Sequence, residues 1–158
     1  MLVGVERACQ LSVLALVLTL GCGGDDSPVG SDGSVVHDSF NVQVIVKVIL
    51  EGVEEDVALG ELSTMEIDGE SYVTLSDVVT AAFPAESLAQ LQADFEGADG
   101  FKPGSKDFCK DTIPVDGALL TEGYLHPQSR NMRWNDSLSY PGCMSPTDLA
   151  IITLGRKV

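Results

Sequence analysis

The chain has 158 residues, 24 of them Asp or Glu and 9 Lys or Arg, for a formal net charge of −15. A surface this acidic repels phosphate backbones and anionic headgroups, which argues against a nucleic-acid partner. The charge is uneven: residues 25–99 hold 17 acidic side chains against one basic, Lys47, whereas residues 100–158 hold six acidic against seven basic. A surface that grips an anion is therefore expected in the second half.

In chain order the first feature is the uncharged apolar run Leu11–Leu20, followed by Gly21 and Cys22. A helical membrane span takes about 20 apolar residues, so this shorter run suits the apolar core of an export signal. Leu18-Thr19-Leu20-Gly21-Cys22 resembles the lipobox of bacterial lipoproteins. The resemblance implies a signal peptide over residues 1–21 and cleavage before Cys22. Cys22 would then be acylated on its sulfur and on its new amino group. Residues 22–38 are rich in Gly, Ser and Asp and read as the lipidated end and a flexible acidic tether. In that family an Asp directly after the cysteine holds some proteins at the inner membrane. The residue here is Gly23, which points to the outer membrane of a bacterial envelope, facing the periplasm or the exterior.

Of four cysteines, the resemblance has Cys9 leave with the signal and Cys22 carry lipid, so the domain expected over residues 39–158 would keep Cys109 and Cys143. In an exported chain such a pair predicts a disulfide. A metal site using both thiols with His126 is the alternative, but close Cys-x-x-Cys spacing is missing; no metal is expected.

Phe40–Leu50 alternates with period two, with Phe40, Val42, Val44, Val46, Val48 and Leu50 on one face, and predicts a long amphipathic strand. Gly52 interrupts it, and Val53–Leu59 is expected to return beside it as a hairpin. Met65–Leu75 repeats the scheme around Asp68-Gly69, adding a second pair to the same sheet. Ser76 is expected to cap a helix carrying Val78, Val79, Ala82 and Phe83 that stops at Pro84, and Ala85–Leu91 to form a second short helix. Ala93–Gly97 reads as a strand whose Asp94 and Glu96 form a solvated face rather than an acid–base pair. Phe101–Pro114 reads as a basic loop held by Cys109. Further apolar material lies at Leu119-Leu120 and Tyr124-Leu125. Ser145-Pro146 is expected to start a helical turn, and Leu149–Leu154 to be a buried strand. The class is α+β: a small mixed sheet, one or two short helices and one disulfide.

Arg130 and Arg133 flank the only tryptophan, Trp134. With Lys102 and Lys106 they make the candidate binding surface, since arginine and aromatic residues are favoured at binding hot spots. The competing reading has Trp134 plug the core while the arginines balance neighbouring acids.

Tyr72–Val79, Phe95–Phe101 and the Ser145-Pro146-Thr147-Asp148 turn running into an Ile-rich strand together resemble sulfite-oxidase-like molybdopterin-binding domains, over residues 65–158. The resemblance implies a related α+β fold without the cofactor. In that family a cysteine ligates molybdenum and basic residues hold the pterin. No Gly-x-Ser-x-Gly, phosphate loop or other nucleophile constellation occurs in the chain. The expected function is a membrane-anchored, non-catalytic module that binds an envelope protein or a small anionic ligand. The alternative is a redox domain related to molybdopterin-dependent oxidoreductases.

Overall fold

The computed structural model describes residues 43–158. The export signal, Cys22, the tether and the first residues of the predicted opening strand lie outside them.

Strand β1 covers Ile45–Leu50 and buries Val46, Val48 and Leu50, the face expected from the alternation. Of the predicted strand's earlier residues that are described, Gln43 and Val44 lie just before it, and the Val44 carbonyl accepts from the Leu59 N–H at 2.9 Å. Glu51 and Gly52 both have positive φ, 51° and 82°, as a type I′ hairpin turn requires. They return the chain into β2, Val53–Ala58, antiparallel to β1. β2 is an edge strand carrying Glu54, Glu55 and Asp56 in succession, charges that discourage pairing with another chain's edge.

The second hairpin, β3 (Met65–Ile67) and β4 (Glu70–Thr74), turns at Asp68-Gly69 as expected. It does not extend the first sheet. With β7 (Gly123–Leu125) and β8 (Met132–Trp134) it forms a separate four-stranded sheet, ordered β3-β4-β7-β8. The first sheet is completed by β5 (Leu91–Gly97), β6 (Val115–Asp116) and β9 (Leu149–Arg156), in the order β2-β1-β9-β5-β6. β9 runs parallel to β1 and antiparallel to β5, so this sheet is mixed.

Helix α1, Leu75–Ala82, buries Leu75, Val78 and Val79 and packs against β1, β2, β4 and β7. Its cap is Thr74 rather than Ser76: Thr74 Oγ1 accepts from the Asp77 N–H at 3.0 Å, while Ser76 sits in the first turn with its Oγ 2.7 Å from Thr74 Oγ1. Such a cap contributes about 1 kcal/mol. The predicted helix at Ala85–Leu91 shrinks to a 3-10 turn, Leu88–Gln90, because Leu91 already enters β5 with its side chain in the core. Likewise the turn expected at Ser145-Pro146 lies just upstream, as a 3-10 turn over Gly142–Met144. No helix among the described residues is long and apolar enough to cross a membrane.

The core joins the inner faces of both sheets with α1, through Val46, Val48, Ile152 and Leu154 on one side and Val73, Leu125 and Trp134 on the other. The segment 101–114 carries two 3-10 turns, Pro103–Ser105 and Lys110–Thr112. Its Cys109 is fully buried and bonded to Cys143, with Cα atoms 6.5 Å apart. At the far end of β9, Arg156 bonds Glu51 at 2.9 Å and Glu86 at 2.9 and 3.0 Å, which fastens the last strand to the first hairpin and to the segment after α1.

Candidate functional site

Alternation in the second sheet sends Val73, Leu125, Met132 and Trp134 inward. It sends Tyr72, Thr74, Tyr124 and Arg133 to the opposite face. The strand registers set Thr74 beside Tyr124 and Tyr124 beside Arg133, with Met65 beside Tyr72 in the next row. Arg133 lies with its guanidinium carbon 5.7 Å from the Tyr72 ring centre, within the range of a cation–π contact. Its Nη1 donates to Asp68 Oδ2 at 3.1 Å. The two side chains differ in exposure, 33 % for Arg133 and 78 % for Asp68. The Tyr72 hydroxyl donates to Glu70 Oε2 at 2.7 Å, and its ring meets His126 edge-on at 5.8 Å. His126 Nδ1 accepts the N–H groups of Gln128 and Ser129 at 3.3 and 3.2 Å.

Two protonation states on this face are reinforced. The hydrogen bond to Glu70, together with burial, raises the Tyr72 phenol above its ordinary pKa. Tyr72 and Asp68 hold the Arg133 guanidinium above its own ordinary value. The face therefore offers a fixed cation stacked on a neutral phenol. Its salt-bridge partner is an exposed carboxylate that an incoming anion can replace, since such surface pairs contribute only about 0–1 kcal/mol.

The five residues expected to form the binding surface occupy different surroundings. Trp134 is 6 % exposed. Its Nε1 donates to the Met144 carbonyl at 2.8 Å, and its ring meets Phe95 and Tyr140 edge-on at 5.9 and 5.0 Å. It is core, on the opposite face of β8 from Arg133. The two border a common cavity of about 260 Å3 that Asn135, Asp136 and Tyr140 also line. Arg130 is a strap: Nε donates to Asp148 Oδ1 at 2.7 Å and Nη1 to the Ile45 carbonyl at 3.1 Å. Lys102 pairs with Glu96 at 2.9 Å, and Lys106 lies 5.9 Å from the Phe101 ring centre. No hydrogen bond, ion pair or ring contact links any two of the five. Tyr72 and Tyr124, which lie beside Arg133, were missed as site residues, and His126, which meets the Tyr72 ring, was weighed only as a metal ligand with the two cysteines. Gly123–Leu125 and Met132–Trp134 are strands of three residues each, too short to show a period in the sequence, so no signal there grouped these side chains.

A molybdopterin-type cofactor, which the resemblance brings into question, needs a free cysteine sulfur and unengaged basic groups. Cys109 is buried and its sulfur is in the bridge to Cys143. Arg130 is taken up by Asp148 and by the Ile45 carbonyl. The residues present do not fit that group. Comparison with protein-family models, curated proteins and solved structures finds no match for this chain.

Proposed function

We propose that the protein is an envelope lipoprotein, held to the membrane through Cys22, whose folded domain is a binding module for an acidic protein partner or small anionic ligand. Recognition centres on Arg133. The observation that carries this reading is the guanidinium stacked on Tyr72 and paired to an exposed, replaceable Asp68. Lys102, Lys106 and Arg130 add positive potential in the same half of the chain, while Trp134 supports the strand that presents Arg133.

Arg133→Ala removes a surface pair and one cation–π contact, so its stability should change by no more than about 1 kcal/mol. Capture of an acidic partner from solubilised envelopes by the anchored chain should nevertheless fall, and raised salt should weaken the wild-type capture in the same way. Equal capture by wild type and Arg133→Ala, with unchanged salt sensitivity, would reject the site.

Anchoring has its own test. Two acyl chains hold a protein stably where one chain gives only marginal attachment. Cys22→Ser is expected to leave an unprocessed precursor or to release the protein from the membrane. Normal processing with unchanged membrane extraction in that variant would refute acylation at Cys22.

A further inference from the structure

A second concavity, which shares no lining residue with the cavity beside Arg133, lies where the 3-10 turn Leu59–Glu61, Thr64 just before β3 and the turn after β7 meet. Its volume is about 400 Å3, inside the ~300–1,000 Å3 range of small-molecule sites. Leu59, fully buried, and the half-buried Val44, Leu62 and Pro127 give it apolar walls. Among the described residues, the only charged group lining it is Glu61. Gln43 Nε2 donates to Glu61 Oε1 at 2.8 Å and orients the carboxylate, and Oε2 accepts no hydrogen bond from the described residues. The opposite wall is the turn whose Gln128 and Ser129 N–H groups are held by His126 Nδ1, so it is braced from within.

We infer that this cavity binds a small organic cation, an aliphatic ammonium group on an apolar chain. The chain would lie against Leu59, Leu62 and Pro127, and the ammonium would donate to Glu61 Oε2 in a charge-assisted hydrogen bond. An anion of the same shape is rejected, because the one charge that the described residues place on the cavity is negative and the chain as a whole carries −15. Charge thus separates this site from Arg133: one takes a cation and the other an anion.

The test is an NMR titration of the isotope-labelled full chain with hexylammonium chloride, using sodium hexanoate as the isosteric anion. Hexylammonium should shift the amide resonances of Leu59–Leu62 and Gln128 saturably, and hexanoate at equal concentration should leave them in place. Glu61→Gln keeps the shape and the acceptor for Gln43 but removes the charge; it should weaken hexylammonium binding about tenfold with an otherwise native spectrum. Arg133→Ala should bind hexylammonium as the wild type does, whatever becomes of the anion site. The inference fails if hexylammonium moves no resonance at Leu59–Leu62, if hexanoate binds equally, or if Glu61→Gln binds undiminished.

Discussion

Trp134→Ala should lower the unfolding free energy by about 3–5 kcal/mol, the range for emptying an aromatic site in a packed core. The indole is 6 % exposed and fills the space between Phe95 and Tyr140, so its removal leaves a cavity in the inner face of the second sheet. The Met144 carbonyl also loses its indole donor, and an unsatisfied acceptor costs about 1–3 kcal/mol when buried. These losses overlap and do not simply add. Set against a total stability of about 5–15 kcal/mol, this one substitution removes a large share. Trp134→Phe keeps most of the ring contact but not the donor, and should fall between the two. Urea denaturation measures both, and a loss below about 1 kcal/mol for Trp134→Ala would contradict the packing described. The neighbouring Arg133→Ala supplies the contrast, since adjacent strand residues face opposite ways and should show opposite patterns of stability and capture.

Removing the Cys109–Cys143 bridge is the second large perturbation. Its 34-residue separation corresponds to about 3–4 kcal/mol in the loop-entropy model. The two ends need such a tie: around Cys109 the chain runs through short 3-10 turns, and Cys143 lies inside another, so neither is anchored by strand pairing. Cys109→Ser should be the more damaging single change, because it places a hydroxyl at a fully buried position. The double change to alanine isolates the covalent contribution and should lower the melting temperature by roughly ten degrees or more. Thiol titration of the denatured, unreduced Cys9→Ser, Cys22→Ser chain should find no free thiol, and two reactive thiols would show that the bridge is not formed in solution.

The parts of the fold that could be read from the residues are those with enough length to repeat a pattern. β1 shows its alternation over six residues, and the Glu51-Gly52 and Asp68-Gly69 turns announce themselves because positive φ favours Gly, Asn and Asp. β7 and β8 have three residues each, too few to display a period, so the second sheet stayed hidden and its first hairpin was assigned to the wrong neighbour. Thr74 and Ser76 are hydroxyl residues two positions apart, and only the hydrogen bond to Asp77 decides which one caps. The candidate site was legible in the same partial way. The charge asymmetry pointed to the half that contains Arg133, but proximity in sequence grouped it with Trp134, which a strand turns to the other side. Lys102 and Arg130 were found as cations, whereas their partners Glu96 and Asp148 are set by tertiary structure. Glu61 carried no signal at all, since its cavity exists only once the turn after β7 is folded against the β2–β3 connection.

β9 is the last strand in chain order, yet it lies in the middle of the first sheet, between β1 and β5. Until it arrives, β1 has only β2 beside it, β5 has only β6, and Lys47 cannot meet Ile151. A growing chain therefore cannot close this sheet early. The closing contacts join segments far apart in sequence, a topology that folds slowly, and in a ribosome-held chain stopped before Leu149 the first sheet is reduced to two separate pairs, β1 with β2 and β5 with β6, with open edges. Under the export proposed above, late closure would keep the polypeptide extensible for as long as threading lasts, and folding would follow delivery.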